Sequence, residues 1–359
     1  MQSAVDLKLV PWDGTTRQRA QSRTAVFVIG TLFCALTSAV MASWLPLQVS
    51  IVTVFLFAGP HNWFELRYFL MRLPLRFGKS RTFFFTAFAG IALLTATYIS
   101  LPVLYRSISW STESWEVVIA VWNSLLLLWL GLLVWLRGKQ KLRSDWSWAL
   151  PIVLALGSLN WMSPEFFSLA IVYLHPLVAL WFLDRHLRRT RPQWLPAYRR
   201  CLCLLPLLLA AMIWQLSRTP ALTDDNGLFW RITQHAGAEL LPNVSSHLLV
   251  SVHVFLEMLH YGVWLLALPL IGRHTGRSRH SHISALPSAA KIWNVTTVPV
   301  ARHPRGFPKV VKLALLLSLA LVALLWFGFS INYATTRDIY FTVAIAHVLA
   351  EAPFLLRMI

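Results

Sequence analysis

His253-Val-Phe-Leu-Glu257-Met-Leu-His260 lies inside an apolar run from 246 to 271, and the reading of that run decides the fold. The run exceeds the ~20 residues that a helix needs to cross a bilayer. On a helix, positions three, four and seven apart share one face, so His253, Glu257 and His260 form a single polar stripe on an otherwise apolar surface. Inside a membrane such a stripe is costly, and it needs something to face.

The rest of the chain supports a membrane setting. Hydrophobic residues make up 57% of the 359 positions and charged residues only 13%, with a mean hydropathy of +0.59. That is outside the composition of a soluble globular domain. The net charge of +18 does not indicate nucleic acid, because the basic residues sit in short clusters between apolar runs. Such clusters are the signature of cytoplasmic loops, and they suit anionic lipid headgroups. Several of the 18 tryptophans, including Trp44, Trp115, Trp146 and Trp148, flank apolar runs as interfacial anchors do. Cys34, Cys201 and Cys203 all fall in apolar runs, which argues against a disulfide framework or a cysteine-rich metal site. The first run, 24–44, is longer than the ~7–15 residue core of a signal peptide and reads as an uncleaved span.

Ten candidate spans follow, near 24–44, 48–71, 83–104, 116–136, 147–161, 164–183, 201–216, 246–271, 312–332 and 339–357. The fifth and seventh are short, and the fifth and sixth can also be read as a re-entrant hairpin turning at Asn160-Trp-Met-Ser-Pro164. With the N-terminus cytoplasmic, the inner segments hold 27 Lys and Arg and the outer ones hold four, Arg106, Arg218, Arg231 and Arg337. This asymmetry places both termini inside. The expected architecture is an all-α integral membrane protein, a polytopic helical bundle of about ten transmembrane helices in the plasma or inner membrane. Residues 1–23 form a cytoplasmic N-terminal segment, and 24–357 form one transmembrane domain. Its outer loop spans 217–245, where 228–241 has the pattern of an amphipathic surface helix, and its basic inner loop spans 272–311.

Of the 14 acidic residues, three lie within spans: Glu65, Glu257 and Glu351. Each follows a histidine by four positions, His61, His253 and His347 respectively. A fourth pair, His235 and Glu239, lies in the outer loop as a chance coincidence or a lid on the same site. Spans two, six, eight and ten run in the same direction, and they place His61, His175, His260 and His347 at comparable depth, with His253 nearer the outer side. The expected metal ligands are therefore His61, His175, His253, Glu257, His260, His347 and Glu351, in a site that is most simply dinuclear. Glu65, Glu257 and Glu351 are the candidate catalytic carboxylates, able to bridge, ligate or orient histidines. Imidazole and carboxylate without thiolate suit iron, zinc or manganese better than copper(I). Glu257-x-x-His260 has the spacing that di-iron carboxylate bundles use to present two ligands inward. Haem held by a histidine pair, a proton pathway, and hydrogen bonding along single helices are the other readings of the same residues.

Zinc-protease His-Glu-x-x-His, the His-x-x-His-His boxes of membrane desaturases and glycine-rich phosphate loops do not occur. In general plan the chain resembles histidine-rich membrane oxygenases, including bacterial carotene-cleaving ones, by type of site and not by motif. The expected function is an iron-dependent oxidative enzyme acting on an acyl chain, isoprenoid or carotenoid, served by an electron-donor protein. A site at mid-bilayer is reached most easily by a lipid-soluble molecule. The alternative is a proton-coupled transporter in which the His/Glu clusters titrate. Against it, the chain shows neither an internal repeat nor a matched pair of broken spans.

Overall fold

A computed structural model describes residues 14–74, 77–140, 146–222, 227–275 and 308–358, with the side chains of 14–21, 79 and 272–275 left undescribed. The described residues form helices and connecting turns, with no strand among them. All ten apolar runs are helical. They lie in α1 (Gly14–Trp44), α2 (Pro46–Arg72), α3 (Arg81–Ser107), α4 (Thr112–Gln140), α5 (Ala149–Met162), α6 (Pro164–Thr190), α7 (Leu195–Leu216), the continuous pair α9 (Ser246–Tyr261) and α10 (Leu268–Thr275), α11 (Pro308–Ile331) and α12 (Tyr333–Met358). The short α8 (Gly227–His235) lies in the loop after α7. In lipid every backbone N–H and C=O must find a partner within the chain, and long helices meet that demand. Hydroxyls add to this: Thr31, Thr53, Ser124, Ser168 and Thr342 each donate to the carbonyl four residues earlier.

Among the described residues, eight helical segments are long and apolar enough to cross a membrane. Helix α2 has 27 residues but is not one of them, because His61, Asn62, Glu65 and Arg67 dilute its apolar character. Helix α5 has only 14 residues, a rise of about 21 Å against a hydrocarbon core of about 30 Å. The seventh span is longer than its apolar run implies. A 3-10 turn at Pro192–Trp194 leads into α7, and Arg199 forms an ion pair with Asp184 of α6, 2.8 Å from Nε to Oδ1. The amphipathic outer helix is shorter than the expected 228–241. It stops at His235, and Gly237, at φ +90°, turns the chain in the left-handed region that favours glycine. A Cβ there would also lie 2.6 Å from Leu169. Most of the N-terminal segment before 14 and of the basic inner loop, 276–307, is outside the described residues.

Two groups of helices share two walls. Helix α9 packs against α1, α2, α6 and α7, while α12 packs against α3, α4, α11, α2 and α6. Helices α2 and α6 therefore belong to both groups, and α9 faces α12 across the space between them. Gly59 allows the close approach of α2 and α11, since a Cβ would meet Val322 at 3.1 Å. The indoles of Trp63 and Trp326 clamp the same pair, donating to the carbonyls of Leu315 and Phe55.

The break between α5 and α6 is held by two buried asparagines. Asn123 Nδ2 donates to Asn160 Oδ1 at 2.8 Å and to the Pro164 carbonyl, and Asn160 Nδ2 donates to the Ala120 carbonyl at 2.8 Å. Asn123 keeps the Pro164 carbonyl and Ser168 as acceptors if Asn160 is removed, but the bond between the two amides and the one to Ala120 are lost where water is scarce. Asn160→Ala is expected to lower stability by about 1–3 kcal/mol, read as a drop in unfolding temperature in detergent. An unchanged temperature would mean that the pair is dispensable.

Candidate metal centre

The polar stripes of four helices meet between α9 and α12. Helix α2 contributes His61 and Glu65, α6 contributes His175, α9 contributes His260, and α12 contributes His347 and Glu351. Ligand atoms of His61, Glu65, His260 and His347 all lie within 4.8 Å of one another, and those of His175, His260 and Glu351 do so as well. Two ligands on opposite sides of an ion at 2.0–2.2 Å stand about 4.0–4.4 Å apart, so small rotamer changes would close either group on a cation. His260 is common to both groups. The four imidazoles form one cluster, with ring centroids 5.2 Å apart for His61–His260, 5.4 Å for His61–His347, 4.8 Å for His175–His260 and 5.0 Å for His175–His347.

Some of these groups already have protein partners. His61 Nδ1 donates to the Phe57 carbonyl at 2.8 Å, which leaves the lone pair on Nε2. His175 Nδ1 lies 3.1 Å from Glu351 Oε2, and its Nε2 lies 3.1 Å from His347 Nε2. The remaining atoms have none. Both oxygens of Glu65, both ring nitrogens of His260, His347 Nδ1 and Glu351 Oε1 are buried without a hydrogen-bond partner. Native proteins pair the large majority of buried polar atoms, so six orphans around one point require an explanation. A cation at the centre accounts for the carboxylate oxygens and for one nitrogen of each imidazole, since these lone pairs are what it would bind, while the other nitrogen of a neutral ring carries a proton.

The expected ligands His253 and Glu257 stand apart from both groups among the described residues. They lie further toward the N-terminal end of α9, where His253 Nδ1 is 3.9 Å from Glu257 Oε2. The His253 ring meets Tyr173 at 5.7 Å and the outer-loop His235 at 5.1 Å. His235 thus turns inward while Glu239 stays exposed, which divides the pair noted in the outer loop. Burial of the His235 ring, with the His253 and Arg337 charges adding to it, holds its pKa well below the ordinary imidazole range and keeps it neutral. Arg231 and Asp338 form an ion pair that ties α8 to the start of α12.

Arg337 was not anticipated as a site residue. It belongs to the outer charges by position, yet it is 3% exposed, with its guanidinium 4.6 Å from the Phe341 ring. Its signal is in the sequence: Tyr333, Arg337, Tyr340, Ala344, His347 and Glu351 follow one another at spacings of three and four, a single stripe along α12. His235, His253 and Glu257, with Arg337 close enough to act on His235, thus form a polar column between the 217–245 loop and the imidazole cluster.

The opposite side is closed by rings. Phe69 stacks on Phe354 at 4.4 Å, and Trp264 packs on Phe69, Phe182 and Tyr68. Between His260 and this floor the chain makes a π-helical turn, Gly262–Ala267, an irregularity frequent at functional sites. No family model, curated protein or solved structure matches the chain.

Proposed function

We propose that the protein is an integral-membrane metalloenzyme that oxidises a lipid-soluble substrate, an acyl chain, isoprenoid or carotenoid, at a His/Glu centre within the bilayer. The observation that carries the reading is the convergence of four imidazoles and two carboxylates with six unpartnered polar atoms. His61, Glu65, His260 and His347 hold one cation. His175, His260 and Glu351 form the two-histidine, one-carboxylate set that suits non-haem iron with open positions, and this favours iron over zinc or manganese. Bound iron would supply the redox chemistry; the chain supplies the ligand geometry, the dry surroundings and the closed aromatic floor. Glu257 is not a ligand in this reading but a positioning residue beside His253 and Arg337. The basic inner segments face the cytoplasm, with both termini, and offer a docking face to an acidic electron-donor protein and to anionic headgroups.

The test is metal content by inductively coupled plasma mass spectrometry after purification from cells supplied with iron and zinc. At least one tightly held ion per chain, predominantly iron, is the expected result. Clearly less than one would overturn the metal reading. Iron without oxygen uptake on acyl, isoprenoid or carotenoid substrates, with a reductant present, would overturn the oxidative one.

The polar column favours a second reading, a proton-coupled transporter. Protons would enter past His235 and His253 to the cluster, and the aromatic floor would have to open for them to leave. A metal-free protein that carries protons across sealed vesicles, with transport lost in His260→Ala, is the outcome that would select it.

A further inference from the structure

Beside the metal centre lies a cavity of about 480 Å³ between α4, α5, α6 and α12, lined almost wholly by apolar side chains. Its volume falls within the range of small-molecule sites. Because α5 is short, it closes its side of the cavity with only Leu156 and Leu159. Leu159, Phe166 and Leu174 are exposed, so on this side the cavity faces the lipid phase. The opposite wall is the seam between α6 and α12. Val348 follows His347 and Ala352 follows Glu351, so the cavity and the imidazole cluster lie on adjoining sides of one seam. Across it stand the 3.1 Å contacts from His175 to His347 and to Glu351.

We infer that this cavity binds a single hydrocarbon chain drawn sideways from the bilayer, with its middle held against the His175–His347–Glu351 seam. At about 30 Å³ per group, the share of a water molecule in the liquid, the volume holds on the order of sixteen methylene-sized groups. An apolar lining gives such a chain no polar anchor, so position comes from shape and from the closed end at the seam. The inference rests on the substrate class of the proposed function and adds the place where that substrate sits. It commits to a chain, whether acyl or polyprenyl, because the lining offers nothing to a polar headgroup.

The test uses full-length protein in lipid nanodiscs with two probes, a fatty acid and a polyprenol each carrying a mid-chain diazirine, and peptide mapping after photolysis. Labelling of the 171–174 and 345–349 segments, saturable and competed by the unlabelled chain, is expected from at least one probe, and the better competitor identifies the source. Ala170→Phe should lower this labelling about ten-fold while leaving metal content unchanged. Ala352→Phe serves as a second block at a more enclosed position. Uniform, uncompeted labelling that extends over α11 would mean annular lipid only, and it would overturn the inference, as would full labelling in both filled variants. Metal content is read separately: iron without saturable labelling sinks the chain site alone, and saturable labelling without metal sinks the metal centre alone.

Discussion

Replacing His260 with alanine is expected to empty the whole metal centre, lowering bound metal from one or more ions per chain to less than a tenth of one. His260 is the one residue common to both ligand groups. Neither ring nitrogen makes a hydrogen bond of good geometry, so the substitution removes little internal bonding and leaves mainly a void. The folding cost of that void is on the order of 1–3 kcal/mol, which a bundle of this size survives. His175→Ala separates the two positions, because it removes a ligand from the second group and none from the first. It should therefore retain the ion held by His61, Glu65, His260 and His347. Stability gives an independent readout. A ligand at a thousand times its Kd adds about 4 kcal/mol to the folded state, so stripping metal from the wild-type protein should lower its unfolding temperature. The same chelation should leave His260→Ala unmoved. Undiminished metal in a well-folded His260→Ala protein would remove the basis for both ligand groups.

The helices of this chain were legible because length and hydropathy record the demand that lipid places on backbone polar groups. Where that demand weakens, legibility fails. The apolar run of the seventh span begins at 201, yet helix α7 begins at Leu195, where Pro196 suits the first turn and Arg199 pairs with Asp184 of the neighbouring helix, both outside what hydropathy measures. The outer helix ends at His235 because of one backbone angle at Gly237 that no apolar pattern reports. At the site, helical periodicity correctly assigns polar residues to faces but not to levels along an axis. His61 with Glu65, His347 with Glu351, and the lone His175 and His260 meet. His253 and Glu257, on the same stripe as His260, do not join them. A separation of four residues along a helix is about 6 Å, roughly three metal–ligand bond lengths, so a residue on the same face at another level stands outside the cluster. Arg337 shows the converse. Counting charges by side assigns it to the exterior, while the three-and-four spacing that links it to His347 and Glu351 places it on the buried face.

Glu65→Gln is expected to have opposite effects on the metal-free and metal-loaded protein. Both carboxyl oxygens of Glu65 are buried without partners, and Glu351 is the acidic group that acts on them. With no cation present the buried carboxyl must either stay charged without partners or take up a proton to become neutral, and either costs free energy in a low-dielectric interior. Glutamine keeps the shape and is neutral without taking up a proton, and should stabilise the metal-free protein by about 1–3 kcal/mol. With a cation present the same change deletes an anionic ligand and should weaken binding at least ten-fold, so that chelator competition strips the variant at a lower concentration. The measurements are unfolding temperature after exhaustive chelation and metal retention against a graded chelator. A glutamate retained only for helix packing would respond alike in both states, as a nearly isosteric substitution does, with small shifts of one sign. A gain without metal together with a loss with metal instead requires that the burial of Glu65 be tolerated for the sake of a positive charge that it meets only in the loaded protein. A uniform loss in both states would place Glu65 among the structural residues and leave His61, His260 and His347 without their carboxylate.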